Sequence, residues 1–175
     1  LQGCGTLRNY FGGEDNSEPP APLVEFEQTA SIVERWSSGV GGTDEQYLKL
    51  TPAVTENQIY TVARDGDVEA LALDSGRSVW SHDTDEPLSG AAGVGGGMVL
   101  VGASNGYVIA LDQATGEPRW KQRVSSEVLA APQAANNIVV VRTVNGKLTG
   151  LDAESGEQLW IYDRGVPSLT LRGTS

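Results

Sequence analysis

The chain has 175 residues, including 22 Gly and 8 Pro, with 39% hydrophobic and 6% aromatic content; this fits one globular domain of short strands and many turns and excludes disorder throughout. A formal net charge of −11 repels polyanions at long range and no basic stripe offsets it, so no nucleic-acid partner is expected. No apolar run approaches the roughly 20 residues of a membrane-crossing helix, and the single cysteine, Cys4, excludes an internal disulfide and a multi-cysteine metal site.

The opening Leu1-Gln2-Gly3-Cys4 resembles the end of a bacterial lipoprotein signal peptide, where cleavage before the cysteine leaves a thiol to be acylated. Leu1 and Gly3 match that pattern, while Gln2 stands where a small residue is usual. Acyl chains, at about 0.8 kcal/mol per buried methylene, would make Cys4 an effectively permanent anchor. The alternative is an unmodified cysteine near a frayed terminus. In Gram-negative lipoproteins an Asp after the cysteine commonly marks inner-membrane retention. Gly5 stands there, so the resemblance implies the outer membrane, with the protein on its periplasmic face. Residues 1–30 therefore read as a signal-peptide remnant, a lipidated cysteine and a flexible tether, since Gly12-Gly13-Glu14-Asp15 and Pro19-Pro20-Ala21-Pro22 are poor in core-forming side chains. Residues 31–40, with Ile32-Val33-Glu34-Arg35-Trp36, read as an orphan outer strand that closes a ring of sheets.

From residue 49 the chain repeats itself. Trp80, Trp120 and Trp160 are 40 residues apart, as are Gly76, Gly116 and Gly156, and again Gly66, Gly106 and Gly146. Fixed periods of this length mark repeat architectures. Asp65-Gly66, Asn105-Gly106 and Asn145-Gly146 are dipeptides suited to two-residue type I′ hairpins. Glu56-Asn57, Gly96-Gly97 and Asn136-Asn137 mark an earlier turn, and Gly76, Gly116 and Gly156 suit the left-handed position of a third. Three turns imply four strands, predicted in the last unit at 131–135, 138–143, 147–152 and 158–162. The expected fold is all-β, a β-propeller of four-stranded antiparallel blades at 49–83, 87–124 and 128–163, each Trp wedged between neighbouring blades. Three blades leave faces and edges open, so the protein is expected to continue beyond Ser175.

Residues 164–175 read as the connection and start of a fourth blade. Stepping back by 40 from Leu171-Arg172 gives Ala131-Pro132, Ala91-Ala92 and Thr51-Pro52, so bulky residues replace small or rigid ones. Arg beside apolar anchors is a common interface composition. An ordinary first strand, with Leu169 and Leu171 alternating into the core, accounts for the pattern about as well.

The blades, best preserved in Ala110-Leu111-Asp112-Gln113-Ala114-Thr115-Gly116-Glu117-Pro118-Arg119-Trp120, resemble the pyrroloquinoline-quinone-type blade. With the lipoprotein-like start, the orphan strand and Val166-Pro167-Ser168-Leu169-Thr170-Leu171-Arg172-Gly173, the whole resembles the BamB family, lipoproteins of the outer-membrane β-barrel assembly machinery. That resemblance implies an eight-bladed ring that binds the periplasmic domains of BamA within the Bam complex, with Leu169, Leu171 and Arg172 contacting BamA. It also implies unfolded outer-membrane proteins as clients.

No catalytic residue, cofactor or metal is expected. A quinone-dependent enzyme of this repeat type typically sets an adjacent cysteine pair against its cofactor, and Cys4 alone cannot supply one. His82 is the single histidine and follows a blade Trp, which suits an exposed position better than a general base. Gly93-Val94-Gly95-Gly96-Gly97 lacks the Lys-Ser/Thr of a phosphate loop. Asp112, Glu117, Asp152, Glu154 and Glu157 recur where turns recur, and turn chemistry accounts for them. The expected function is a non-enzymatic scaffold; its rivals are a fragment of a quinoprotein dehydrogenase and a ligand-sensing propeller domain.

Overall fold

The computed structural model describes residues 22, 24, 29–42 and 49–163. The chain divides into two units, Leu1–Val33 and Glu34–Ser175. The described residues of the first have no regular structure.

The second unit folds the repeat into three four-stranded antiparallel sheets, each with its strands in sequence order. Blade 1 comprises β1 (Ala53–Val54), β2 (Gln58–Val62), β3 (Asp67–Ala72) and β4 (Ser78–Asp83). Blade 2 comprises β5 (Gly93–Gly95), β6 (Met98–Gly102), β7 (Tyr107–Asp112) and β8 (Pro118–Arg123). Blade 3 comprises β9 (Gln133–Ala135), β10 (Ile138–Arg142), β11 (Leu148–Asp152) and β12 (Gln158–Tyr162). The all-β propeller-type reading of the sequence is what the chain adopts.

Blade 2 shows why the repeat folds by stacking. Strand residues alternate between faces, and in β6 and β7 both faces are apolar. Val99, Val101, Ile109 and Leu111 pack into a core shared with Tyr60, Val68 and Trp80 of blade 1. Met98, Leu100, Val108 and Ala110 pack into a second core with Val139, Val141 and Leu151 of blade 3. Full burial of a Val, Leu or Ile side chain is worth about 1.5–3 kcal/mol, and a lone blade has nothing to bury these faces against. The first strands of blades 2 and 3 come so close that a Cβ on Gly93 would overlap the carbonyl oxygen of Pro132.

The turns differ from expectation in an informative way. Type I′ geometry occurs at the first turn of blades 2 and 3, where Gly96 and Gly97 have φ of 62° and 71° and Asn136 and Asn137 have 51° and 62°. At the second turn only the glycine is left-handed, with φ of 120°, 86° and 84° at Gly66, Gly106 and Gly146. The expected type I′ hairpins at Asp65-Gly66, Asn105-Gly106 and Asn145-Gly146 are thus corrected. The Gly66 amide donates to Ala63 O at 3.3 Å and the Ala63 amide to Asp67 O at 2.8 Å. This closes a longer loop, a tight turn followed by one left-handed residue. Asp or Asn occupies a right-handed position there and only Gly needs positive φ. Gly76, Gly116 and Gly156 are left-handed as expected, with φ of 66°, 76° and 75°.

Among the described residues, 29–42 contain no strand. Among the described residues the expected orphan strand at 31–40 has no ladder partner; the last blade it was expected to close onto is not among them. Gly42 O still accepts the Arg64 amide at 3.0 Å.

Candidate functional site

The joints between blades use the recurrent tryptophans in one direction. Trp80 leaves β4 of blade 1 and lies over Gly116 of blade 2, its Nε1 donating to Gln113 O at 3.1 Å. Trp120 leaves β8 and lies over Gly156, with Nε1 donating to Ala153 O at 2.9 Å. Trp36 lies over Gly76 and donates to Leu73 O at 3.0 Å, the same joint made from ahead of blade 1. Trp80 and Trp120 are buried and Trp36 is half-buried, and all three satisfy the polar edge of the indole. Trp160 is 40% exposed, and its ring rests on its own ladder partner Gly150. Trp36, Trp80 and Trp120 thus make joints to the next turn, while among the described residues Trp160 makes none.

Where Trp meets turn, local chemistry holds the turn shape. The Asp112 carboxylate accepts from the backbone amides of Ala114 and Thr115 at 2.9 and 3.0 Å and pairs with Arg119 at 2.7 Å. Arg119 first, and the Thr115 and Ala114 amides next, hold its carboxyl down at about 2. Asp152 repeats the turn contacts through Ser155 and Glu154, and its carboxyl is lowered for that reason. A group whose pKa is depressed on folding stabilises the fold above its ordinary value and loses that contribution as pH falls through the folded value. Carboxyl NMR titration should give Asp112 a midpoint near 2 instead of 3.8. Arg119→Ala should return the midpoint toward the ordinary range, and an unmoved midpoint would remove Arg119 as the main cause. The rotation-related acids are therefore turn formers, and among the described residues no three of His, Cys, Asp and Glu gather as a metal site.

Two features were not found by sequence reading. Arg64 is half-buried and its Nη1 donates to Pro87 O at 2.9 Å and Ser104 Oγ at 3.1 Å, clamping blade 1 to blade 2. The repeat gave the signal, because Ser104 and Val144 stand at the corresponding places. The second is the outer strand of blade 3, where Leu159 and Ile161 are 53% and 45% exposed. In blade 2 the same places carry Arg119 and Lys121, the latter paired with Glu86 and lying 4.7 Å over the Tyr107 ring. Glu86 is lowered by its bond to Lys121. Cys4, Leu169, Leu171 and Arg172, the sequence candidates for lipidation and partner binding, lie outside the described residues. Gly66, Gly106 and Gly146 sit in the second turns. His82 sits half-buried in β4, across from Val68.

Residues 64–175 match a family model described as outer membrane protein assembly factor BamB. A relative of that name from Kangiella koreensis is 55% identical over 158 residues, 90% of this chain and 41% of the relative. The chain spans 22% to 41% of the length of the first three curated relatives. Among solved structures, BamB from Moraxella catarrhalis superposes with a TM-score of 0.61 at 28% identity, covering 67% of this chain and 36% of that one. A quinohemoprotein alcohol dehydrogenase from Comamonas testosteroni superposes with a TM-score of 0.54 at 27% identity, covering 71% and 21%.

Proposed function

Because this chain belongs to the BamB family of outer membrane protein assembly factors, we propose that it is part of a non-enzymatic scaffold that binds BamA and assists assembly and insertion of outer-membrane β-barrel proteins. In this reading Cys4 is acylated and tethers the propeller to the periplasmic face of the outer membrane, residues 31–40 join the last blade of an eight-bladed ring, and Leu169, Leu171 and Arg172 dock BamA. One observation carries the reading. The family match runs through 169–172, the same place where bulky residues break the 40-residue repeat.

Changing Leu169, Leu171 and Arg172 to Ala together is expected to abolish co-purification with BamA while leaving circular dichroism and the unfolding midpoint unchanged. Undiminished co-purification would sink the docking assignment. The likeness to a quinohemoprotein dehydrogenase favours a second reading, in which added pyrroloquinoline quinone and Ca²⁺ generate an absorbing, alcohol-oxidising enzyme. These 175 residues offer a single cysteine, Cys4, ahead of the blades, whereas such sites typically set an adjacent cysteine pair against the quinone.

A further inference from the structure

Successive blades are joined by loops that each bury one residue between them. Between blades 1 and 2 it is Leu88, whose amide donates to Arg64 O at 3.1 Å. Between blades 2 and 3 it is Val128, at the same place in the repeat, whose amide donates to Ala103 O at 3.3 Å. Both loops are also tied forward, the Ser104 amide donating to Pro87 O at 2.9 Å and the Val144 amide to Glu127 O at 3.0 Å. The repeat carries this place on to Ser168, beyond the described residues.

The seat under that residue changes with it. In blade 1 the seat is Val62, in one core with Leu88. In blade 2 it is Gly102, where a Cβ would lie 2.4 Å from the Val128 side chain. In blade 3 it is Arg142, the exposed last residue of β10. Val139 and Val141 of β10 enter the core shared with blade 2, and strand residues alternate between faces, so Arg142 faces forward. With Leu129, Ala130, Thr143 and Val144 it lines a groove. Two uncharged seats under apolar residues thus give way to a cation, and the residue that the repeat brings to it carries a hydroxyl.

Arg64 shows what a guanidinium does at such a joint. Its Nη1 donates to the carbonyls of Pro87 and Leu88 at 2.9 and 3.3 Å and to Ser104 Oγ at 3.1 Å. In blade 3 the place of Arg64 is taken by Val144, whose side chain has no donor, and the cation stands two residues earlier.

We propose that Arg142 is a positioning residue for the partner-docking segment. It seats Pro167-Ser168 in the groove beside Leu129 and Val144, donating to their carbonyls and to the Ser168 hydroxyl, and so sets the direction in which Leu169, Leu171 and Arg172 leave blade 3. The occupant is this chain's own continuation, because the two equivalent seats are filled by the loop of the same register. The reach is also the same, since Ser168 follows Asp163 at the separation at which Leu88 follows Asp83. A charged donor suits carbonyls and a hydroxyl, because charge-assisted hydrogen bonds are the strong ones. The proposal rests on the reading that those three residues dock BamA, and adds what holds them in place.

The variants are Arg142→Gly, Ser168→Val and the two together, the last installing the pair that blade 2 carries as Gly102 and Val128. Amide exchange of residues 166–169 is followed on the full chain without BamA, and the Kd for purified BamA periplasmic domains is measured on the same proteins. Each single variant is expected to speed that exchange and to weaken BamA binding about tenfold or more, the scale of one hydrogen bond to a charged group. The double variant is expected to recover both, which a general loss of fold would not allow. Unchanged exchange in Arg142→Gly would overturn the proposal, and so would a double variant no better than the singles. Weaker BamA binding with unaltered exchange would overturn it by making Arg142 a direct contact, and faster exchange with undiminished binding would overturn it by removing the link to docking. The docking reading fails on a different result, undiminished BamA binding by the alanine variant at Leu169, Leu171 and Arg172.

Discussion

Trp80→Ala is expected to lower the free energy of unfolding by about 3–5 kcal/mol, the range for removing a buried aromatic side chain from a packed core. Trp80 is 8% exposed, packs with Tyr60 at a ring-centroid separation of 6.0 Å, and lies in the core between blades 1 and 2. Its removal opens a cavity there and leaves Gln113 O without the indole donor. Trp80→Phe keeps most of the apolar contact and loses the hydrogen bond, so it should cost about 1–2 kcal/mol, less than the alanine variant. Urea unfolding of the three proteins measures the series. A cost below about 1 kcal/mol for the alanine variant would mean that the blades are not joined through this residue.

The second large effect is at the receiving end of the same joint. Gly116 has φ of 76°, and a Cβ built there overlaps the Trp80 ring. Gly116→Ala therefore incurs both the left-handed backbone strain, about 1–2 kcal/mol, and a steric penalty of about 1–3 kcal/mol. Gly106→Ala is the internal comparison. Its φ is also positive, at 86°, but the nearest atom to a new Cβ is Val124 O at 3.3 Å, against 2.4 Å to the Trp80 ring at Gly116, so its steric penalty should be the smaller of the two. Combining Gly116→Ala with Trp80→Ala removes the overlap, and the double mutant should be less destabilised than the sum of the singles. Strict additivity would contradict the direct contact.

The blade boundaries were legible because the turns and the Trp positions are fixed by local chemistry that recurs every 40 residues. Turn types were less legible. Asp-Gly and Asn-Gly are compatible with more than one loop length, and whether one or both residues turn left-handed depends on where the flanking ladder resumes, as at Ala63 and Asp67. The orphan segment around Trp36 carries strand-like residues, yet a ladder requires a partner strand, which sequence periodicity cannot supply. Its side chain nevertheless reaches the place over Gly76 that the other tryptophans reach on their own acceptor glycines. The exposure of Leu159 and Ile161 was also invisible in sequence, since in another sheet the same residues would serve as core. What leaves them open is the position of β12 at the rim.

The indole joints give the stack a polarity. Trp80 belongs to blade 1 by chain connection but pins the β7–β8 turn of blade 2, and Trp120 pins the β11–β12 turn of blade 3. Damage to one tryptophan should consequently loosen the blade ahead of it more than the blade that carries it. Amide exchange in Trp80→Ala would show this as faster exchange at Gly116, whose amide is bonded to Asp112 O at 2.9 Å, than at the equivalent Gly76. In such a stack each of these turns is held by the blade that precedes it in the chain.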